Sequence, residues 1–84
     1  MKISPNIAFN KINDDEIKVL KLDDDNNVYT LEKSVAHVFD MINKEEKIDA
    51  ITKSISEQTK KDEKEVVTFV NETIEEFKKL GFFE

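Results

Sequence analysis

A chain of 84 residues with 38% charged residues and a net charge of −6 makes one small domain, and a surface of that sign is repelled by phosphate backbones and anionic membranes. It contains no cysteine, which excludes disulfides, thiolate metal sites and any iron–sulfur cluster held by this chain alone. No apolar run is long enough to span a bilayer, and Met1-Lys2-Ile3-Ser4-Pro5 lacks the apolar core of a signal peptide, so cytoplasm is the expected location.

Ser4-Pro5-Asn6 reads as a lead-in to a strand over Ile7–Ile12. Asn13-Asp14-Asp15 supplies turn chemistry, because Asn and Asp tolerate left-handed backbone and bond their own main chain. A second strand follows over Glu16–Leu22. Its phase slips: Ile17 and Val19 alternate around Lys18, then Leu20 and Leu22 around Lys21. A slip of this kind predicts either a bulge or a strand covered on both faces. Asp23 to Asn27 is a second turn, and Val28-Tyr29-Thr30-Leu31 a short third strand. The order predicts an antiparallel meander.

The second half reads as helical. Lys33–Ile42 places Val35, Ala36, Val38, Phe39 and Ile42 on one face. Ile48, Ile51 and Ile55 recur at helical spacing in a second helix. Asp62 is an N-cap for the third, with Glu65 three residues on in a capping-box pattern. Lys78 and Lys79 suit the negative end of that helix dipole. Gly81 is a left-handed stop, after which Phe82-Phe83 can fold back on the core. The fold class is therefore α+β, a three-stranded antiparallel sheet followed by three helices in a single domain over 1–84. Helices on one face of the sheet leave a strand at an open edge.

The third helix has an unusually wide apolar face. At ~100° per residue, Val66, Val67, Phe69, Val70, Thr73, Ile74, Phe77 and Leu80 fill an arc of roughly 160°, against the ~100° stripe usual for a surface helix. Such an arc can face the core and a docked partner together, or be wrapped deeply by a small domain.

Catalytic chemistry finds little support. His37 is the sole histidine; Asp40 lies one turn on, but no nucleophile motif accompanies them, so a structural role is expected. Asp23, Asp25 and Asn27 mimic the opening of a calcium loop, yet Val28 stands where that loop needs glycine and Ser34 where it needs a bidentate Glu. No Ser follows an Asp at a helix start, as a carrier protein would require. Gly81 is the sole glycine, so there is no phosphate-cradling loop. No catalytic residue, metal site or cofactor is expected; the pattern is that of a binding module.

Several stretches carry a family likeness: Ile3-Ser4-Pro5-Asn6-Ile7, Val28-Tyr29-Thr30-Leu31 leading into a helix, Ile48-Asp49-Ala50-Ile51, and Phe77-Lys78-Lys79-Leu80-Gly81-Phe82-Phe83. Together they resemble the PqqD-like proteins, within the wider group of recognition elements for ribosomally made, post-translationally modified peptides. The resemblance implies a winged-helix-like fold. It implies capture of a precursor's leader peptide as an added strand between the third strand and third helix, and presentation to a modifying enzyme, often a radical S-adenosylmethionine enzyme. It places Tyr29 and Leu31 inward, Val28 and Thr30 outward, and Ile74 and Phe77 inward.

The peptide-binding set is then Val28, Tyr29, Thr30, Leu31, Val66, Phe69, Val70, Thr73 and Phe77. Phe69 and Thr73 are the preferred groove residues; Val66 and Val70 are shared with the core. Phe69 stands where the family often has an acidic residue. Asn43-Lys44-Glu45-Glu46-Lys47 replaces a turn that in the family often holds Gly, with Thr capping the next helix. That departure predicts a weaker cap.

Two other functions fit the outline. A winged-helix DNA-binding regulator needs a basic recognition helix; Lys53, Lys60 and Lys61 are offered, but the third helix is rich in Glu, so no nucleic acid is expected. A dimerisation domain would pair its excess apolar face with a second copy, and a homodimer is compatible with leader binding.

Overall fold

The computed structural model describes residues 2–22 and 27–84. Three strands come first: β1 (Ile7–Asn13), β2 (Glu16–Lys21) and β3 (Val28–Glu32). Three helices follow: α1 (Ser34–Asn43), α2 (Ile48–Thr59) and α3 (Glu63–Lys79). The strands form one antiparallel sheet in the order β1-β2-β3, so β3 is an edge. The acidic turn expected over 23–27, with the calcium-loop mimicry of Asp23, Asp25 and Asn27, lies outside the described residues except for Asn27.

The β1–β2 turn forms as its composition dictates, with Asn13 Oδ1 accepting from Asp15 N at 2.7 Å. The phase slip in β2 resolves differently from either expectation. The irregularity lies in β1, between Lys11 and Asn13, with β2 running on unbroken. Ile17 and Val19 face the core at 2% and 0% exposure. Leu20 points the other way, opposite Ala8 on one side and Val28 on the other. Leu20 thus joins Ala8 of β1 and Val28 of β3 in an apolar row across the sheet's outer face.

The core lies on the inner face. Phe39 of α1 is its centre, meeting Phe9, Phe77 and Phe82 edge-on at ring separations of 5.2, 5.9 and 6.1 Å. Ile42 from α1, Ile51 and Ile55 from α2, and Val70 and Phe77 from α3 complete it, each at 2% exposure or less.

The helix ends show why the chain turns where it does. Asp62 Oδ1 caps α3 by accepting from Lys64 N at 2.9 Å. At the other end Gly81 N reaches Lys78 O and Phe82 N reaches Phe77 O, both at 3.0 Å, with Gly81 at φ +77°. This is a Schellman stop, and its accompanying apolar contact is Phe82 on Phe77, 5.4 Å between rings. Helix α1 ends in the same motif: Glu45 N bonds Ile42 O at 2.8 Å and Glu46 N bonds Met41 O at 3.0 Å. Here the left-handed position, φ 63°, is held by Glu45 rather than glycine. Helix α2 starts at Lys47 without a side-chain cap, in line with the weak cap anticipated there. Behind Phe82, the C-terminal residues pair back on the N-terminal segment through an Ile3–Phe83 bridge.

Candidate functional site

Which backbone groups β3 leaves open follows from the ladder. Lys21 N donates to Asn27 O at 3.3 Å, and Lys33 N to Asp15 O at 2.7 Å. Both pairs lie in the register that sets Val19 opposite Tyr29 and Ile17 opposite Leu31. Hydrogen-bonded pairs alternate in an antiparallel ladder, so Tyr29 and Leu31 bond β2, whereas Val28, Thr30 and Glu32 turn N–H and C=O to the open edge. Side chains alternate with them. Leu31 is buried and Tyr29 half-buried on the inner face, while Val28 is 62% exposed and Thr30 Oγ1 accepts from Lys18 Nζ at 2.8 Å on the outer face.

Helix α3 is linked to β3 just past its C-terminal end, where Phe82 meets the Tyr29 ring at 5.4 Å. Its N-terminal half shares a pocket of about 150 Å³ with Ser34, which follows β3 by two residues; Ile55, Thr59, Val66 and Phe69 line it, with Lys61 and Glu65 at its rim. The depression is wide enough for one side chain, has Phe69 of α3 on its wall, and reaches Ser34, two residues past the end of β3.

The other candidate residues divide by burial. Val66 is 97% buried yet still contributes to the pocket wall. Val70 and Phe77, at 0% and 2% exposure, belong to the core and offer no surface to a ligand. Most of the wide arc is therefore covered by the domain itself, because α1, α2 and the Phe82 fold-back all press on it. Thr73 is 8% exposed and does not line the pocket, and its hydroxyl donates to Phe69 O at 2.8 Å within the helix. Half-buried Phe69 is the member of the set with open apolar surface on α3.

Sequence reasoning missed Ser34, Ile55, Thr59 and Lys61. Ile55 was legible as apolar, but only the crossing of α2 with α3 brings it to the pocket. His37 is placed as a structural residue: its Nε2 shares a 3.0 Å hydrogen bond with Ser54 Oγ, joining α1 to α2. Asp40, the carboxylate one turn on, faces Lys11 and Lys44 at 3.6 and 3.2 Å. Among the described residues no cluster of three or more His, Asp or Glu could hold a metal ion. No helix among them is long and apolar enough to cross a membrane.

No family model matches the chain, and no curated protein matches it in sequence. Among solved structures it is similar to TbiB1 in complex with the TbiA(beta) leader peptide. The TM-score is 0.89 at 19% identity, over 100% of this chain and 95% of that one. At that identity the likeness establishes the fold: three antiparallel strands followed by three helices, shared along the full length.

Proposed function

We propose that this chain is a leader-peptide recognition domain for a ribosomally made, modified peptide. The leader adds as a fourth strand on the free edge of β3, bonding Val28, Thr30 and Glu32, and places an apolar side chain in the Phe69 pocket. The rest of the precursor is thereby held for a modifying enzyme, of the radical S-adenosylmethionine class in the family the sequence resembles. The observation that carries the reading is the open β3 edge, with a pocket for one side chain reaching Ser34 just past its end, in a fold shared with a protein whose structure was solved with a leader peptide.

The acidic α3 weighs against the DNA-binding alternative. Glu63, Glu65, Glu72, Glu75 and Glu76 on its exposed side outnumber Lys64, Lys78 and Lys79, and a recognition helix of that sign is repelled by phosphates.

The test is an amide-shift titration of labelled protein with the leader half of a precursor peptide encoded beside it. Shifts confined to Val28–Glu32 and the Val66–Phe77 side of α3, saturating at micromolar peptide, are expected. A folded spectrum that no such leader perturbs would overturn the proposal.

A further inference from the structure

The outer face of the sheet carries an apolar row that stops at the open edge. The register sets Ala8 of β1 across from Leu20 of β2, and Leu20 across from Val28 of β3. Leu20 is half-buried, Ala8 exposed and Val28 62% exposed. A shallow depression of about 290 Å³ runs over all three, with Asn10 and Lys18 also in its lining. The next row along the strands is polar. Asn10, Lys18 and Thr30 stand in register, and Lys18 Nζ lies 2.8 Å from Thr30 Oγ1 and 3.4 Å from Glu16 Oε2. Beyond it Glu16 pairs with Glu32. Of the three residues that β3 presents outward, Val28 therefore continues an apolar row, whereas Thr30 and Glu32 continue polar ones.

Resting on the reading of the β3 edge as a leader site, we infer that the leader carries an apolar side chain on its outward face at the position paired with Val28, and that Val28, backed by Leu20, reads it. Residues directly across from one another on neighbouring strands point to the same face, with Cβ atoms about 4.5–5.5 Å apart. The leader residue paired with Val28 thus falls outward beside it, whichever way the leader runs, and becomes the fourth member of the row. An aliphatic side chain there removes exposed Val28 from water; a short polar one leaves it wet. Two places along, the residue paired with Thr30 meets the Lys18–Thr30 row, where an apolar side chain finds no such partner. Because side chains alternate along a strand, this outward selection is separate from whatever faces Tyr29 and Leu31. A second copy of the chain completes the row poorly. Antiparallel pairing through the open groups of Val28, Thr30 and Glu32 together centres on Thr30 and sets Val28 of each copy across from Glu32 of the other, and each copy brings a charge of −6.

The test uses two short synthetic peptides of Ser and Thr, one with two adjacent central Leu residues and the other with Leu followed by Ser. Adjacent residues face opposite sides of a strand, so the first peptide puts a Leu on each face and the second on one face alone. Amide and methyl shifts of the labelled protein, with intermolecular nuclear Overhauser contacts, are followed in the wild type and in Val28→Thr, an exposed change that keeps β-branching. The expected result is a shifted Thr30 amide with both peptides, about fivefold tighter binding of the two-Leu peptide, and contacts from one of its Leu methyls to those of Val28. Val28→Thr should weaken that peptide about threefold. A shifted Thr30 amide without Leu–Val28 contacts would overturn the outward apolar selection and leave the leader site standing, as would equal affinity for the two peptides or undiminished binding by Val28→Thr. Contacts to Ala8 without Val28 would place the peptide on β1 and overturn the selection. A Val28 methyl signal that moves on dilution of the protein alone would give the row to a second copy and overturn it too. No shift at the β3 edge from either peptide at millimolar concentration would overturn both the selection and the leader site.

Discussion

Replacing Thr30 by proline separates the edge of β3 from its ladder. Thr30 N–H faces away from β2, so the free protein loses no backbone bond. It loses the exposed Lys18 Nζ–Thr30 Oγ1 contact of 2.8 Å, worth less than about 0.5 kcal/mol in water, which for a domain of this size shifts Tm by less than about 4 °C. The bound state loses more. One peptide hydrogen bond, about 0.5–1.5 kcal/mol, disappears, and the pyrrolidine ring stands where the incoming strand must approach. Leader affinity should therefore fall about tenfold or more. Leu31→Pro is the contrast: it removes a ladder bond to Ile17 and disturbs a buried side chain, at a cost of ~3 kcal/mol or more. Thermal melts of both variants, with calorimetric titration of the folded one, read the two effects. Hydrogen exchange of the unliganded wild type gives an independent reading, with Tyr29 and Leu31 amides protected and those of Val28, Thr30 and Glu32 exchanging fast. A folded Thr30→Pro protein that binds leader as tightly as wild type, or a protected Thr30 amide, would refute the edge assignment.

Three further substitutions test the packing. Glu45→Gly should raise stability by about 0.5–1 kcal/mol, because a left-handed residue with a Cβ costs roughly 1–2 kcal/mol and glycine's greater chain entropy returns only part of it; an unchanged or lower melting temperature contradicts the Schellman geometry at α1. Gly81→Ala should lose about 0.5–1 kcal/mol, the left-handed cost at φ +77° less the chain entropy that alanine saves, with its Cβ 2.9 Å from the flexible Lys21 Nζ; an undiminished melting temperature would place Gly81 outside the left-handed region. Thr52→Val should gain about 1 kcal/mol in denaturant unfolding, because Thr52 Oγ1 is buried without a hydrogen-bond partner and valine keeps the shape while removing the hydroxyl; a loss instead would mean that the hydroxyl is bonded.

The fold was legible because its local signals agree with its tertiary demands. Asp62 and Gly81 bracket α3 within a residue of where cap chemistry placed them, and Asn13-Asp14-Asp15 makes the turn its side chains favour. The site was legible only in half. The family resemblance set Tyr29 and Leu31 inward and Val28 and Thr30 outward, and the burial of Leu31 and exposure of Val28 agree with it. The arc of α3 misled at Val70 and Phe77, because periodicity measures how much of a helix is apolar and not whether its own domain or a partner covers it. Ser34, Ile55 and Thr59 reach the pocket from two other helices, a convergence with no spacing to read in one dimension. Leu20 is the instructive case in β2: the phase slip there predicts a bulge or a strand covered on both faces, whereas its side chain serves an outer-face row with Ala8 and Val28.

An open strand edge is a template for any extended chain, a second copy of the same protein included. The charge of the chain works against that outcome. Two copies meeting edge to edge would each carry a net charge of −6, which repels at long range. The cost of keeping an edge available for a ligand is thus met by making it unattractive to itself. This protection weakens with ionic strength, so self-association through β3 is expected to appear first in concentrated, high-salt solution.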